Sequence, residues 1–469
     1  MVICLFTVTF SYSQEKWDLR KCVDYALENN ISVKQADLQA RFAELDLHQN
    51  KMSQYPGANF GSNLGYSSGR NQDPTSFSLI TTGYVNNNYS LQASVDLFNW
   101  FSKKNSIEEK KLGLQAAEAK VTKVKDDIAL NVAVAYLQAL LAKEQINLAK
   151  IQVTQTQAQF ENTRKQVDAG KLPELNAAQL EAQLASDSSN LITAEITATQ
   201  LILQMKALLN LDAAVSFDIV TPPVDKIPVE SLAELQPESV YNLAMVNLPQ
   251  QKVDELNVKS ALKSVEIARG TMYPTFSLFG SLGTIYNNRS RQVTSKTQVN
   301  APVGTVNVGG TDYNVFPLQP FDIFNYGDVS FFDQMTQNFR QSVGINISVP
   351  IFNGSSLRTS WQRSKLNVKQ MELQKEQNSF TLKQDIYKAY NDAVAAIQKF
   401  NANKKTVETA EKTYDFAQKR YDLSLLSTFE LITSQSNLLQ AKTQLLYSQY
   451  DYVFKMKLLE FYKGQGLKL

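Results

Sequence analysis

The chain has almost none of the side chains from which metal sites and histidine-based catalytic sites are built. Its 469 residues include one histidine, His48, and two cysteines, Cys4 and Cys22. This scarcity excludes a zinc cluster of histidines and cysteines and a catalytic triad that uses histidine. The sequence also lacks a phosphate-binding glycine loop and a dinucleotide-binding fingerprint. It therefore predicts no catalytic residues, no metal site and no cofactor.

An excess of charge of one sign is also lacking. The chain carries 47 basic and 45 acidic residues, so its net charge is +2 at pH 7. Proteins that bind nucleic acids or other polyanions concentrate positive charge on a patch or stripe. Nucleic acid is therefore not an expected partner of this chain.

Long apolar runs are missing except at the N-terminus. Residues 1–10 are uncharged and mostly apolar, and the small residues of 11–13 follow them. We expect residues 1–13 to be a secretory signal peptide with a truncated basic region; a buried N-terminal strand is the alternative. Cys4 would be removed with this signal, and the apolar spacing around Cys22 predicts that Cys22 is a small buried residue. No later run reaches 18 apolar residues, which excludes a transmembrane helix and leaves a soluble exported protein or a membrane β-barrel.

Proline and glycine are nearly absent from two long stretches. From 101 to 169 there is no proline and one glycine, Gly113, and from 355 to about 423 there is neither. At 1.5 Å per residue, a helix over either stretch would extend about 100 Å. Helices of this length are coiled coils or struts rather than core elements of a globule. An ordinary soluble coiled-coil rod would show the same pattern.

Each long helix is predicted to turn back at a tip and continue as a shorter return helix. In the first tip, Gly170 suits a helix C-terminus and Pro173 suits the first turn of the next helix. In the second tip, Ser427 and Glu430 have the spacing of a capping box. The return helices end near 211 and 463. We expect the tip residues to be exposed; they are Gly170, Lys171, Leu172, Pro173, Ser424, Leu425, Leu426, Ser427 and Thr428.

Four segments alternate apolar and polar residues, at 58–67, 89–97, 276–286 and 343–351. A period of two with one apolar face is typical of a strand that water wets on one side. Aromatic residues near the strand ends favour a membrane barrel over a soluble sandwich, because aromatic girdles mark both interfaces of a barrel. The residues predicted to face lipid are Leu91, Val95, Leu97, Val343, Ile345, Ile347 and Val349.

The strands of each pair are joined by loops of different length. Residues 67–88 are predicted to form a short polar loop. Residues 287–338 are predicted to form a long loop without regular structure, rich in asparagine, glycine and aromatic residues. Long loops of this kind are usually functional or mobile. An outer-surface lid fits this segment, as does a stretch that packs over the mouth of a barrel.

The whole plan occurs twice. Residues 29–56 align without a gap with 247–274, and Tyr136 aligns with Tyr390. A duplication of this size indicates a symmetric scaffold. We expect two structural repeats, 14–212 and 236–469, joined by a linker over 213–235.

Two strands, a very long helix, a tip and a return helix, all duplicated, resemble the TolC-like outer-membrane efflux proteins, or outer membrane factors. The likeness covers the mature chain and is strongest over 420–442, where a tyrosine, an acidic residue and an Ala-Lys pair fall at the family's spacing. The resemblance implies a mixed α and β membrane protein. Three protomers would each give four strands to a shared 12-stranded β-barrel, and their long helices would form a coiled-coil tunnel through the periplasm.

The same resemblance implies a location and a function. The protein would lie in the outer membrane of a diderm bacterium and extend into the periplasm. It would be a passive exit duct in tripartite efflux or type I secretion, without enzymatic activity. Its partners would be two further copies of itself, a periplasmic adaptor that docks on the tip residues given above, an inner-membrane RND or ABC transporter, and the lipid bilayer.

For the periplasmic gate, the resemblance implies Tyr421 as the tyrosine that helps hold the aperture closed and Glu430 as an acidic residue facing the pore. The chain departs from the family at the basic position, where it has Leu426, and at a second acidic position, where it has Thr433. Ser424 replaces the usual tip glycine. These departures predict a thinner acidic ring. A capping role for Glu430 and plain interhelix packing for Tyr421 are the alternatives.

Two rival functions are open at this stage. A soluble periplasmic coiled-coil interaction protein would pack its apolar strand faces on each other and would need no detergent. A glycosidase would need paired carboxylates. The carboxylates of this chain lie scattered along predicted helix faces, and no pocket-forming loop gathers them.

Overall fold

The computed structural model describes residues 16–72, 77–221, 227, 230–423 and 425–464. The predicted signal peptide, 1–13, and the tip residue Ser424 lie outside the described residues. The first half of the chain runs helix, helix, strand, strand, long helix, return helix. Its elements are α1 (Leu19–Asn29), α2 (Ile31–Met52), β1 (Gly57–Gln72), β2 (Leu79–Phe98), α3 (Ser102–Asp168) and α4 (Glu174–Leu209).

The second half repeats this order, with extra elements between its two main strands. Helices α1 and α5 each have 11 residues, α2 and α6 each have 22, and α3 and α8 each have 67. This correspondence confirms the internal duplication. A 3-10 turn, Leu232–Glu234, precedes the second copy. The later elements are α5 (Pro237–Asn247), α6 (Pro249–Gly270), β3 (Thr275–Asn287), β4 (Arg291–Val299), β5 (Gly304–Val308), β6 (Thr311–Val315), β7 (Phe321–Asp328), α7 (Phe331–Gln337), β8 (Arg340–Ser348), α8 (Ser356–Asp422) and α9 (Thr428–Tyr462).

The chain divides into two compact units. The helical unit comprises the residues up to Leu47 together with Glu108–Leu262 and Lys365–Leu469. The strand unit comprises His48–Ile107 and Lys263–Ser364. Among the described residues, no helix combines the length and the apolar character needed to cross a membrane.

Two clusters of buried apolar side chains hold the helical unit together. The first joins α1 to α3, α4 and α9, and the second joins α5 to α8 and α9. In the first, Cys22 is fully buried, as the sequence predicts, and burial raises the pKa of its thiol to about 12. Asp18 caps α1, and its carboxylate accepts the backbone N–H of Lys21 at 2.8 Å. In each repeat, the short first helix therefore packs against the long helix of the same repeat, α1 against α3 and α5 against α8.

The segment 218–220, which follows α4, is bound to α3 and to Trp17 by hydrogen bonds and an ion pair. Trp17 forms a parallel bridge with Ile219, and the hydroxyl of Tyr136 donates to the carbonyl of Val220 at 2.6 Å. The ammonium of Lys143 pairs with the carboxylate of Asp218. Tyr390, which the sequence aligns with Tyr136, accepts a hydrogen bond from the side chain of Gln236 at 3.3 Å in the second copy.

The strand-to-helix turn before each long helix has the same unusual backbone. Trp100 and Phe101 have φ of 51° and 61°, and the aligned Gly354 and Ser355 have φ of 62° and 64°. The left-handed region costs non-glycine residues roughly 1–2 kcal/mol each. The indole N–H of Trp100 donates to the carbonyl of Pro274 at 2.7 Å, which ties the strained turn to the start of β3.

The strand unit contains an antiparallel four-stranded sheet in the order β1-β2-β3-β8. Its register places Leu91 opposite Phe60 and Leu282, and it places Leu278 opposite Val95 and Ile345. Residues directly opposite each other share a face, so these apolar side chains form one continuous surface. The exposed fraction is 79% for Val343, 61% for Ile345 and 58% for Ile347.

Two residues of the predicted lipid face lie outside the regular pairing. Val349 follows the end of β8, because Pro350 cannot donate a backbone hydrogen bond to continue the ladder. Leu97 is the extra residue of a β-bulge, since Asp96 pairs with Ser277 and Phe98 with Phe276. The alternation of the flanking residues did not reveal either irregularity.

Both predicted loops are wrong in large part. Most of 67–88 is strand, because β1 continues to Gln72 and β2 begins at Leu79. The long segment 287–338 is also structured, with strands β4 to β7 and helix α7. The reason in both cases is that backbone pairing with a partner strand stabilises polar residues whose own pattern shows little alternation.

Candidate functional site at the helical tips

The first tip is a glycine-terminated helix end. The N–H of Lys171 donates to the carbonyl of Gln166, and the N–H of Gly170 donates to that of Val167, each at 2.8 Å. This pattern is a Schellman motif, and it needs the left-handed φ of 71° that Gly170 adopts. Across the turn, Arg164 pairs with Glu174 at 2.5 Å between Nη1 and Oε1. The predicted residues Gly170, Lys171, Leu172 and Pro173 therefore form a compact turn between α3 and α4.

The second tip is held by a capping box. The side chain of Ser427 accepts the N–H of Glu430 at 3.3 Å, and the carboxylate of Glu430 accepts the N–H of Ser427 at 3.0 Å. The Ser427 hydroxyl donates to the same carboxylate at 2.8 Å. These hydrogen bonds hold the pKa of Glu430 below its usual range. The capping interpretation of Glu430 is confirmed, and its role at a gate stays a prediction.

Tyr421 links three helices within one protomer. Its hydroxyl lies 3.0 Å from the hydroxyl of Thr163 on α3 and 3.3 Å from that of Thr428 at the start of α9. Both threonines are buried, with exposed fractions of 1% and 2%. This geometry is the interhelix packing that the sequence offered as the alternative, and a role for Tyr421 in holding an aperture closed stays a prediction. The hydrogen bonds of the Tyr421 hydroxyl go to the two threonines, and those of the Glu430 carboxylate go to Ser427.

Apolar side chains remain exposed around both tips. Leu425 and Phe429 are exposed at the second tip, as is Leu175 in the first turn of α4. The expectation that all tip residues are exposed is wrong for Thr428, which is buried at the start of α9 where its hydroxyl lies 3.3 Å from that of Tyr421, while Leu172 and Leu426 are half-buried. The tips therefore combine a fixed backbone with apolar side chains available for contact.

A buried polar cluster lies further along the helices. The carboxylate of Asp187 on α4 accepts hydrogen bonds from Thr156 Oγ1 at 2.7 Å, Gln152 Nε2 at 3.3 Å and Gln183 Nε2 at 2.8 Å. Gln435 on α9 donates to Thr156 at 3.1 Å. Four of these residues are almost fully buried: Gln152, Thr156, Asp187 and Gln435. Our sequence reasoning missed this cluster, although polar residues at apolar helix spacing were a signal for it.

Aromatic side chains gather at both ends of the sheet. Where the strands meet the helices, Trp100 lies 4.7 Å from Tyr273 between ring centroids, and Phe98 contacts Trp100. Near the opposite end, Tyr286 lies 5.2 Å from Phe331 of α7. The strand between Phe276 and Tyr286 matches the roughly 9–11 residues of a tilted strand that crosses a bilayer.

Over residues 22–211 and 240–460, the sequence matches the family model described as "Outer membrane efflux protein". The chain belongs to the outer membrane efflux protein family. It is therefore a protein of the bacterial outer membrane that extends into the periplasm. Membership in this family also supports the expectation that the chain is not an enzyme.

Known proteins of this kind resemble the chain at low sequence identity. The alkaline protease secretion protein AprF of Pseudomonas aeruginosa is 21% identical over 338 residues, which are 72% of this chain and 61% of AprF. The outer membrane protein TolC of Escherichia coli is 22% identical over 406 residues, 85% of this chain and 71% of TolC. The crystal structure of VceC from Vibrio cholerae superposes with a TM-score of 0.71 at 15% identity and covers 96% of each chain. The likeness to VceC shows that the fold is shared.

Among residues 16–464, as far as the structure describes them, no group of histidine, cysteine, aspartate and glutamate could hold a metal ion. The described tip residues lie in the two turns between the long helices and the return helices, and the predicted strand residues Val343, Ile345 and Ile347 are exposed; docking at the tips and contact of the strands with lipid stay predictions. Sequence reasoning did not find the polar cluster around Asp187.

Proposed function

We propose that this outer membrane efflux protein is a passive exit duct made of three copies of the chain. The observation that carries the proposal is an open four-stranded sheet with one exposed apolar face, joined directly to two helices of 67 residues each. In lipid, an open sheet edge leaves backbone groups without hydrogen bonds, and only closed barrels avoid this. Strands β1 and β8 are the two edges of the sheet within the chain, so three copies would close a barrel of twelve strands.

The polar face of the same sheet would line the water-filled interior. Ser281 and Ser342 bond to each other at 2.8 Å on this face, and Asn346 lies in the same row of side chains. The opposite face, which includes Leu91, Val343 and Ile347, would contact lipid, and the two aromatic groups would lie at its interfaces. The long helices would continue the passage as a tunnel through the periplasm.

The tips would recruit the remaining parts of the machinery. A periplasmic adaptor would dock on the exposed residues of the two tips, and an inner-membrane RND or ABC transporter would supply the energy. The names of one relative and of the family support export: AprF is a secretion protein, and the family is one of efflux proteins. A soluble interaction protein is disfavoured, because Val343, Ile345 and Ile347 are more than half exposed instead of packed in a core.

The native mass of the protein in mild detergent tests the proposal. Extraction from purified outer membranes should require detergent and should yield a trimer, since four strands cannot close a barrel alone. The purified trimer should conduct ions across a planar bilayer. A monomer or dimer recovered without detergent would overturn the proposal.

Glu430 can be tested for gating separately from capping. Glu430→Gln removes the charge but keeps a capping-box acceptor, so it should weaken block of the channel by multivalent cations and leave the melting temperature nearly unchanged. Ser427→Ala should do the opposite, with a loss of about 0.5–2 kcal/mol in stability and unchanged block. Conductance with added cations and thermal unfolding give the two readouts.

The pH dependence of the block sharpens this test. Because hydrogen bonds from Ser427 lower the pKa of Glu430, the charge should persist below the pH at which an ordinary glutamate is protonated. Cation block should therefore survive mild acid and disappear as the pH falls through the lowered pKa. Unchanged block in Glu430→Gln, together with a lower melting temperature, would mean that Glu430 is a cap and not a gate.

A further inference from the structure

The segment inserted between β3 and β8 is a two-part hairpin arm. Strands β4 and β7 pair with each other at its base, and β5 and β6 pair with each other beyond them. The inner hairpin turns at Gly309 and Gly310, whose φ angles are 65° and 92°. Two consecutive left-handed residues are typical of the tight turns that join antiparallel strands. We name residues 291–328 the arm.

The base of the arm is fixed to the sheet. Gln334 of α7, which is 2% exposed, exchanges two hydrogen bonds with the backbone of Asn287 and donates a third to the carbonyl of Val329. The guanidinium of Arg289 donates to the carbonyl of Gly83 at 2.9 Å. The arm therefore starts from a defined place at one end of the strands.

The chain path shows which end this is. Helices α2, α3, α6 and α8 connect to the other end of the sheet, while the arm, followed by α7, lies between the end of β3 and the start of β8. In the duct proposed above, the helices lead into the periplasm. The arm would then stand at the outer mouth.

The inner hairpin has one apolar face that nothing in the described chain covers. Val306 pairs with Tyr313, Val308 with Thr311, and Gly304 with Val315, so these side chains share a face. The exposed fractions of Val306, Val308, Tyr313 and Val315 are 48%, 61%, 57% and 42%. The opposite face is polar, and Asn307 donates to Asp312 there at 2.7 Å. An isolated two-stranded hairpin is marginally stable in water, so a face of this kind needs a partner surface.

The charges favour another copy of the arm as that partner. Between 288 and 330 the chain carries three basic and three acidic residues, so identical arms can approach without net repulsion. A segment that binds an anionic membrane surface would instead carry a basic cluster. The charged residues are Arg289, Arg291, Lys296, Asp312, Asp322 and Asp328.

We propose that the arms of three protomers pack their apolar faces together over the outer mouth of the duct and form a lid. This inference rests on the trimeric duct proposed above. Three hairpins would form a small shared apolar core at the symmetry axis. Polar faces with Thr305, Asn307 and Asn314 would remain in water. The lid would narrow the exit until cargo or a conformational change separates the arms.

Disulfide trapping tests the lid. Val306→Cys places a thiol on the apolar face, and Thr305→Cys, the neighbouring residue, places one on the polar face of the same strand. Cys22 is fully buried, so it gives little background. In dilute detergent, oxidised Val306→Cys trimers should yield covalent dimers on a non-reducing gel. Three equivalent thiols at a symmetry axis form one disulfide and leave one free, so the limit is about two thirds of the chains. The Thr305→Cys variant should run as single chains on the same gel, because its thiols point away from the shared apolar core.

Shortening the arm gives a second readout. Replacement of 304–315 by a short glycine-rich turn should keep the trimer and raise its conductance. Equal trapping of the two cysteine variants, with unchanged conductance of the shortened protein, would overturn the lid and leave the duct intact. If the unmodified protein fails to form trimers, the proposed duct itself is wrong, and the two failures are therefore distinguishable.

Discussion

The double substitution Ile345→Arg/Ile347→Arg should abolish assembly in the outer membrane. Both side chains lie on the exposed apolar face of β8, opposite Leu278 and Phe276 of β3. An arginine on the lipid face of a barrel costs about 2–4 kcal/mol near the bilayer midplane and about 0–1 kcal/mol near an interface, and Ile347 lies closer to the aromatic interface than Ile345 does, so the two should together cost about 2–5 kcal/mol. A loss of this size is a large fraction of the stability of many proteins. The measurement is the yield of trimer in isolated outer membranes.

Asn346→Arg is the matched control, because Asn346 lies between the two isoleucines on the opposite face of the same strand. It should assemble in normal yield and change only the ion selectivity of the channel. Normal trimer yield from the isoleucine double variant would show that this face does not contact lipid. Loss of assembly in Asn346→Arg as well would mean that β8 tolerates no arginine, whichever way the side chain points.

The long elements could be predicted because their signals extend over many residues. The near absence of proline and glycine over two stretches predicted α3 and α8, whose observed bounds lie within a few residues of the predicted ones. The tips were predictable for a local reason, since Gly170 and the Ser427–Glu430 pair are the chemistry that helix ends require. Alternation also predicted the centre of each of the four strands.

The strand ends and the arm were harder to predict. Around Asn86 and Asn87, polar residues continue β2 because they pair with β1 and β3, and no apolar period marks them. The arm did carry a local signal, since Gly309-Gly310 between two valine-containing segments is typical of a hairpin. We predicted a loop for this segment because it is rich in asparagine, glycine and aromatic residues. The cluster around Asp187 had a local signal in its polar residues at apolar helix spacing, but the sequence could not show which residues meet, because Thr156 and Gln435 come together only when three helices pack.

Asp187→Ala should strongly destabilise the helical unit. The carboxylate is the common acceptor for Thr156, Gln152 and Gln183, and its described partners are all neutral. Its removal would leave the buried Thr156 hydroxyl without this acceptor and Gln152 with only Thr156 Oγ1 at 3.4 Å, and each buried donor left unsatisfied costs about 1–3 kcal/mol. We therefore expect a loss of about 3–5 kcal/mol in unfolding free energy, visible as a large fall in the melting temperature of the detergent-solubilised protein.

Glu195→Ala on the same helix is the control. The Glu195 side chain is half exposed, and its carboxylate lies 3.9 Å from the ammonium of Lys150, so the pair contributes at most about 1 kcal/mol. Asp187→Asn should fall between the two, because an amide keeps one acceptor but turns a second donor towards the amide of Gln183. Equal melting temperatures for Asp187→Ala and Glu195→Ala would show that water satisfies the donors. The cluster would then not determine how α3, α4 and α9 are aligned along their lengths. A large fall in melting temperature for Asp187→Ala alone would show that the hydrogen bonds to this carboxylate fix the alignment of the three helices.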